Sequence, residues 1–336
     1  MRVLVVSGFD WSDVGNGAVA ALRGAAEALS SAGVDVEVEH GNIRLLGHTP
    51  SAAQDEAAMI ARIAQRLSTR PRFDWILVQT GGRLALRLFE VADLYGIATC
   101  YRIGGLYRAI DREGVKEAAF AADRVLVPSA FVAAHYEREW GLQTRAVIAP
   151  VRNIFLDPDR PTARALVYMS PCASKGADFF VRIIEQLLVR QHTIPTEVIE
   201  GRGNIDCVAG IVDHAAKHGF PISVRRGVID RTALFRQTRL LVVCSTSEPL
   251  GRAASESLGY GVPCLVSNRG GLPEVAAAPF ACLPVGSNGE AHRWADAICE
   301  VFKDDEWYRR WAARARRRAV YFHPQTLAAS WRSALS

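Results

Sequence analysis

The chain has 336 residues, of which 49% are hydrophobic and 22% are charged, a composition typical of soluble globular proteins. This length predicts two domains of about 150 residues each. No stretch approaches the ~20 apolar residues of a membrane span, and the first apolar run, Val3–Val6, is too short for the core of a signal peptide.

The seven cysteines are scattered without a C-x-x-C pair, which indicates reduced thiols and a cytoplasmic protein. His214 and His218 have the i, i+4 spacing of metal ligands, but the stretch "HAAKH" lacks the glutamate of H-E-x-x-H. We read them as a solvated helix face and expect no metal and no cofactor.

The formal net charge of +5 is concentrated in "YRRWAARARRR" (308–318). At helical spacing, one face carries Arg310, Arg314, Arg317 and Arg318, and we interpret it as a solvated face. A surface for anionic lipid, and so peripheral membrane contact, stays open as the less favoured alternative. No recognition motif accompanies the charge, so nucleic acid is not an expected partner.

Short apolar runs alternate with helical patterns in the first half of the chain. Strands are predicted at 3–7, 34–39, 75–79, 99–103, 124–128 and 147–150. Helices are predicted at 18–32, 51–67, 84–95 and 129–140. This alternation predicts a doubly wound parallel sheet.

The segment 151–165 interrupts the rhythm with two prolines and five charged residues, which is typical of a linker. The alternation then resumes. Strands are predicted at 166–170, 196–200, 222–225, 240–244 and 264–267. Helices are predicted at 177–190, 205–218, 231–238, 251–259, 289–302, 305–320 and 324–335.

Near the N-terminus, the stretch from Gly15 to Ala20 matches G-x-G-x-x-A, the dinucleotide-binding fingerprint. However, seven residues separate it from the first strand, whereas the fingerprint needs its first glycine directly after the strand. We therefore do not expect a dinucleotide. The glycine turn at Gly17 can instead let another ligand approach the helix start, where free N–H groups favour anions. A plain loop before a helix is the alternative.

The stretch "STSEPLGRAASE" (245–256) follows a predicted strand and opens a helix. The N–H groups of Leu250, Gly251 and Arg252 should point to a ligand, since a helix start binds phosphate. Glu248 lies in the loop and Glu256 lies in the helix. Two acceptor-only carboxylates beside a phosphate site suit the ribose and the sugar of a nucleotide sugar.

Here the sequence resembles a family. "EPLGRAASE" (248–256) is similar to the E-x7-E signature of the retaining glycosyltransferases of family 4, and "SLGYGVPCLVSNRGGLPEV" (257–275) resembles the stretch that follows it. Upstream, "SKGADFFVRIIEQL" (174–187) resembles the family's Lys-Gly helix start, and "EGRGN" (200–204) stands where a Gly-x-Gly turn is usual. The likeness is strong over the second half and loose over the first.

The resemblance implies the GT-B fold: two doubly wound Rossmann-like α/β domains that face each other across a cleft. It implies an acceptor-side domain at 1–155, a nucleotide-sugar domain at 156–318, and a C-terminal helix, 319–336, that packs back on the first domain. The only D-x-D, Asp157–Asp159, falls in the linker, where we read it as a turn.

The resemblance also implies roles. Glu256 would bind the ribose, Glu248 would bind the transferred sugar, and Lys175 would neutralise the diphosphate during transfer. The turn at Gly201 and Arg202 would line the donor, and so would the backbone at Gly17. Retention of the anomeric configuration and independence of metal are implied as well.

Two departures from the family stand out. Many members carry a Gly-Arg pair that approaches the diphosphate where this chain has Ser170 and Pro171. Arg202 or Arg252 could substitute. In the first half a common histidine is absent, and Gln79, Arg102 and Gly104 would face the cleft in its place.

The sequence therefore predicts transfer of a sugar from a nucleoside-diphosphate sugar to a hydroxyl or amine. A protein that keeps the donor pocket with little transfer activity, and a nucleotide-sugar epimerase, are the alternatives. For the acceptor we predict contacts with Asp10, Trp11, Asn16 and Arg102, although Trp11 could equally be a packing residue. A soluble sugar, cyclitol or secondary metabolite is the expected acceptor, with a lipid as the runner-up. The pattern assigns neither the donor base nor an oligomeric state.

Overall fold

The computed structural model describes residues 1–13, 16–41, 50–107, 114–152, 154–157, 163–201, 203–227 and 230–336, with the backbone alone at 50–53. The chain divides into two compact units. Unit 1 comprises Met1–Pro150 together with Pro324–Ser336, and unit 2 comprises Val151–His323. The last segment of the chain therefore belongs to the same unit as the N-terminal half.

Unit 1 is built around a parallel sheet of six strands. These are β1 (Arg2–Ser7), β2 (Asp35–His40), β3 (Trp75–Gln79), β4 (Ala98–Arg102), β5 (Arg124–Val127) and β6 (Arg145–Ala146). Its first helices are α1 (Gly17–Ser31), α2 (Pro50–Ser68), α3 (Gly82–Leu94), α4 (Val115–Ala121) and α5 (Ala130–Trp140). The strand order β2-β1-β3-β4-β5-β6 places the topological switch point between β1 and β3.

The positions of the strands follow from their sequences. Strand β1 lies inside the sheet and is buried on both faces, as its continuous run Val3–Val6 requires. Strand β2 alternates charged and apolar residues and forms an edge of the sheet. There Glu37 makes ion pairs with Arg2 and Arg66, so the exposed edge carries charge.

Unit 2 contains the second sheet, also parallel and six-stranded. Its strands are β7 (Ala165–Met169), β8 (Thr196–Ile199), β9 (Ile222–Arg225), β10 (Thr238–Val243), β11 (Cys264–Ser267) and β12 (Cys282–Leu283). Its helices are α6 (Ala177–Val189), α7 (Ala209–Lys217), α8 (Arg231–Gln237), α9 (Arg252–Gly259), α10 (Leu272–Val275), α11 (Asn288–Lys303) and α12 (Asp305–Val320). The order β12-β11-β10-β7-β8-β9 puts the switch point between β7 and β10. The predicted α/β class with two doubly wound parallel sheets is confirmed.

The helix at the end of the chain, α13 (Pro324–Ala334), packs on unit 1. It begins at proline, which has no N–H to satisfy at a helix start. Leu327 and Trp331 are buried in one cluster with Val3 and Leu22, and Trp331 Nε1 donates to Ile148 O at 2.9 Å. The C-terminal residues thus complete the core of the N-terminal unit.

Some elements differ from the sequence-based prediction. The strand predicted at 147–150 was wrong: β6 ends at Ala146, and only Val147 N–H continues the ladder, to Val127 O. Pro150 lacks an N–H group, and Ile148 O is taken by the indole of α13. The short elements α4, α10 and β12 were not predicted, because two to seven residues carry too little periodicity.

The arginine-rich helix α12 is only partly a solvated face. Arg314 lies over the Phe280 ring at 5.3 Å, Arg316 donates to Leu156 O, and Arg318 donates to Glu274 O. These three cations contact other segments of unit 2, whereas Arg310 is exposed and pairs with Glu306 at 3.2 Å. Among the described residues, no helix combines the length and the apolar character needed to cross a membrane.

Candidate functional site

Three loops meet at the carboxyl edge of the sheet of unit 2, on either side of its switch point. They follow β7 (170–176), β10 (244–251) and β11 (268–271). Thr246 N–H donates to Ser174 O at 3.0 Å, and Gly271 N–H donates to Glu248 O at 2.8 Å. Because ligands of open α/β sheets bind at this position, the three loops form the candidate site.

Lys175 and Glu248 form an ion pair inside this group of loops. Lys175 Nζ contacts Glu248 Oε1, and Ser245 Oγ donates to the same oxygen at 3.2 Å. The Glu248 side chain is 9% exposed, whereas the Lys175 side chain is 35% exposed. The two residues that the sequence analysis assigns to catalysis are thus in contact, although 73 residues separate them along the chain.

Hydrogen bonds to its backbone carbonyl hold the turn that carries Lys175. Lys175 lies in a single 3₁₀ turn, Ala173–Lys175, and helix α6 begins only after Gly176. The carbonyl of Lys175 accepts from Tyr168 Oη at 3.1 Å and from Cys244 Sγ at 3.7 Å. Burial raises the pKa of the Cys244 thiol to about 12 and raises the pKa of Tyr168 well above its usual range, so both groups remain protonated donors.

Glycines allow the loops to approach each other closely. Gly176 has φ 75°, and a Cβ there would lie 2.0 Å from Cys244 O. Gly270 has φ 62°, and a Cβ there would lie 2.1 Å from Glu248 O. Both positions combine a left-handed backbone with a backbone contact that no side chain allows, so these glycines set the distance between the loops.

Glu256 lies between two arginines. Arg252 Nη2 donates to Glu256 Oε1 at 3.1 Å from one turn earlier in α9, and Arg231 Nε approaches Glu256 Oε2 to 3.6 Å from the start of α8. The carboxylate is therefore held on both oxygens. A ribose hydroxyl could still donate to it, since a carboxylate offers about four lone-pair positions.

Helix α9 begins at Arg252, directly after Gly251. Gly251 is the N-cap with φ 104°, and a Cβ on it would meet Leu272 Cδ2 at 2.4 Å. Leu250 is buried. The hydrogen bond from Ser255 N–H to Gly251 O, at 3.1 Å, closes the first turn of the helix.

The loop after β8 packs on the place where the family's Gly-Arg pair would stand. Ser170 has φ 58°, a left-handed conformation that is uncommon for a residue with a side chain. Gly201 has φ 52°, and a Cβ there would lie 2.7 Å from Ser170 Oγ, while a Cβ on Gly203 would lie 2.4 Å from Pro171 O. Arg202, the predicted donor contact between them, lies outside the described residues.

In unit 1, three predicted residues lie together at the carboxyl edge of the sheet. Arg102 is 3% exposed at the end of β4, and its Nη1 donates to Oε1 of Gln79 at 2.6 Å. A Cβ on Gly104 would lie 3.3 Å from Gln79 Nε2. A buried guanidinium therefore lies among polar groups where parallel strands end.

The other predicted residues of unit 1 follow β1. Asp10 Oδ1 accepts from Ser12 N and from Ser12 Oγ, both at 2.8 Å, and these bonds lower the pKa of Asp10. Trp11 packs against the core of unit 1, and its ring lies 5.5 Å from the Arg23 guanidinium. The packing interpretation of Trp11 is the one this geometry favours.

Asn16 and Gly17 form the start of helix α1. Asn16 is buried, and its Oδ1 caps the helix by accepting from Ala18 N at 2.9 Å. Gly17 is exposed, and a Cβ there would have nothing within 4 Å. The local fold therefore does not require glycine at this position.

Within the described ranges, no group of three or more His, Cys, Asp or Glu side chains is placed to hold a metal ion. The rings of His214 and His218 lie 4.2 Å apart on α7, and His218 Nδ1 lies 2.8 Å from His214 O. Of the D-x-D stretch, residues 158 and 159 lie outside the described residues.

Two residues of the site were missed by the sequence analysis. Arg231 was not singled out, because it contacts Glu256 only through the packing of α8 beside α9. Ser245 directly follows a strand and precedes Glu248 by three residues, which is the one signal that could have identified it.

Comparison with known proteins agrees with the fold. Residues 217–318, less than a third of the chain, match the family model described as glycosyl transferases group 1. No curated protein matches the chain by sequence.

Several solved structures are similar over the whole chain. Anabaena HepE in complex with UDP-glucose aligns over 100% of this chain and 99% of its own, with 16% identity and a TM-score of 0.73. Sucrose-phosphate synthase from Thermosynechococcus elongatus covers 99% of this chain and 98% of its own, with 16% identity and the same TM-score, 0.73. A glycosyltransferase from Rickettsia africae covers 100% and 98%, with 14% identity and a TM-score of 0.71. At these identities the likeness establishes the fold, and the chain has the GT-B glycosyltransferase fold class.

Proposed function

We propose that this protein transfers a sugar from a nucleoside-diphosphate sugar to a hydroxyl or amine, with retention of the anomeric configuration. The observation that carries the proposal is the pairing of Lys175 with Glu248 across the switch point of unit 2. A cation and a carboxylate from two different strand ends meet there, beside the start of helix α9. Such an arrangement suits a ligand that combines a phosphate with a polyhydroxylated ring.

Each group of the donor has a complementary group in the site. Glu256 accepts from the ribose hydroxyls, and the N–H groups at the start of α9 donate to the diphosphate. Lys175 leaves its partner to contact the diphosphate, since its flexible, partly exposed side chain can turn to it. Glu248 then accepts from hydroxyls of the transferred sugar.

The transfer step needs stabilisation of the leaving group. The bond from the anomeric carbon to the β-phosphate oxygen breaks, and the bond to the acceptor oxygen or nitrogen forms on the same face. The departing phosphate oxygen takes the proton of the acceptor, so the products are the glycoside and the nucleoside diphosphate. Lys175 neutralises the charge that develops on that oxygen, and this electrostatic stabilisation lowers the activation free energy of transfer.

Other properties of the proposal follow from the surroundings. Lys175, an arginine and the helix dipole supply positive charge, so the proposed transfer is independent of metal and of any cofactor. Arg102 and Gln79 of unit 1, with Asp10, are the proposed acceptor contacts, and the acceptor is a soluble polyhydroxylated compound. The protein acts in the cytoplasm. UDP-sugars are the first donors to test, since Anabaena HepE was solved with UDP-glucose.

The test is a thermal-shift panel of UDP, GDP, dTDP and ADP, with and without magnesium, on the wild type and on Glu256→Gln. Ligand at 100 times its dissociation constant should stabilise the wild type by about 2.7 kcal/mol. Glu185→Gln is the matched control, because Glu185 is exposed on α6 of the same unit. We expect one nucleotide to stabilise the wild type and the control but not Glu256→Gln.

The diphosphate that binds then defines the donor for a transfer assay, in which the anomeric configuration of the product is read by NMR. Binding without transfer to a broad acceptor panel would replace the transferase by a donor-binding protein. Absence of binding by all four nucleotides would refute the proposed site.

A further inference from the structure

The loop after β7 carries no arginine where the resemblance places one, and Ser170 and Pro171 stand there instead. We propose that Arg231, from the start of helix α8, supplies the missing guanidinium and contacts the diphosphate of the donor. This inference rests on the proposed function and assigns a residue to its phosphate subsite. It differs from the candidates offered by the sequence, Arg202 and Arg252.

Arg231 reaches both landmarks of the subsite. Its Nη1 lies 3.6 Å from the sulfur of Met169, the last residue of β7, and its Nε lies 3.6 Å from Glu256 Oε2. The guanidinium therefore lies between two groups. One is the end of β7, after which the family usually has an arginine, and the other is the carboxylate of Glu256, which we propose binds the ribose. The side chain is 41% exposed, so a ligand can contact it.

The backbone that carries Arg231 is held in place. Asp230 caps helix α8, with its Oδ1 accepting from Thr232 N at 2.8 Å and from Ala233 N at 3.4 Å. Arg231 is therefore presented from a fixed position next to the cap. A planar, permanently charged guanidinium in such a position suits paired phosphate oxygens better than a lysine does.

Arg231 changes the net charge of the site. Without it, the ion pairs of the site match two cations, Lys175 and Arg252, with two carboxylates, Glu248 and Glu256. Among the described ion pairs, a diphosphate would then meet no excess of positive charge. With Arg231 the balance is +1, so the site attracts the anionic donor in spite of its two glutamates.

Arg252 is less suited to this role. It bonds to Glu256 within one helix, at i, i+4, so both residues of the pair are carried by α9. Arg231 comes from a different helix and also contacts the strand end. It can therefore hold the diphosphate and Glu256 at once.

The test compares the wild type with Arg231→Gln and Arg231→Lys by calorimetry. The ligands are UDP, GDP, dTDP and ADP, and the binding of the corresponding nucleoside is measured separately for each. Arg236→Gln is the matched control, because it removes the same charge from an exposed position of the same helix. We expect Arg231→Gln to weaken the binding of the diphosphate by about 10- to 100-fold, as loss of a charged hydrogen bond should.

The nucleosides separate a phosphate contact from support of Glu256. We expect nucleoside binding to change little in Arg231→Gln, Arg231→Lys to recover part of the diphosphate affinity, and Arg236→Gln to bind as the wild type does. Equal weakening for diphosphate and nucleoside, or unchanged diphosphate binding, would overturn the role of Arg231. A wild type that binds none of the diphosphates would instead refute the proposed function itself.

Discussion

Gly270 offers a direct test of how the site is built. In the protein its φ is 62°, and a Cβ at this position would lie 2.1 Å from Glu248 O and 2.9 Å from Glu248 N. Gly270→Ala therefore changes two things at once: it places a side chain on a left-handed backbone, and it forces the loop after β11 away from Glu248. Only the second change concerns the site.

Gly219→Ala separates the two effects. Gly219 belongs to the same unit and has φ 73°, but a Cβ there meets nothing within 4 Å. It reports the cost of the left-handed backbone alone, which is about 1–2 kcal/mol. Gly270→Ala should lose about 1–3 kcal/mol more, because overpacking is added.

The movement of the loop after β11 away from Glu248 in Gly270→Ala should also lower the rate of transfer. The two segments must separate by about 1 Å to reach a tolerable contact, and a misplacement of about 1 Å at a site costs on the order of 100-fold in rate. We expect kcat/KM of sugar transfer to fall by about 100-fold in Gly270→Ala and to stay near the wild-type value in Gly219→Ala.

Urea unfolding of the wild type and both variants gives the free energies, and initial rates of transfer give kcat/KM. The close approach of Gly270 to Glu248 would not control the site if Gly270→Ala matched Gly219→Ala in both measurements. A loss of stability with unchanged turnover would mean that the loop moves without moving the carboxylate.

Three further predictions concern other parts of the chain. Trp331→Ala should destabilise unit 1 by about 3–5 kcal/mol, because a buried indole and its bond to Ile148 O are lost; hydrogen exchange should rise in unit 1, and an equal rise in unit 2 would contradict this. Gly17→Ala should keep or raise the melting temperature, since its Cβ meets open space. The same substitution should reduce the stabilisation by UDP, because the added methyl group would keep the donor from the backbone at Gly17. An unchanged UDP shift would remove Gly17 from the predicted donor contacts. Iodoacetamide at pH 8 should modify exposed Cys207 and spare Cys244, whose pKa is raised by burial to about 12; mass spectrometry showing equal modification of both in the folded protein would refute this.

Much of the fold could be predicted because parallel strands and their helices leave strong local patterns. The buried runs at Val3–Val6 and in β10 read as strands from their apolar residues alone, and α6 read as a helix from its period. The elements that escaped prediction are short, as α4 and β12 are, or depend on a distant partner. The segment 147–150 is an example, since the indole of Trp331 binds the carbonyl of Ile148.

The sequence by itself determined the two α/β halves, and it singled out Glu248, Glu256 and Lys175 as candidate site residues because they stand at strand-to-helix junctions in a specific pattern. Only the tertiary structure decided their partners. Arg231 reaches Glu256 because the strand order of unit 2 brings α8, α9 and the end of β7 together, while 25 positions separate the two residues in the chain. Hydrogen-bond and charge partners across a sheet depend on strand order and on close backbone approach, and neither property leaves a local pattern in the sequence.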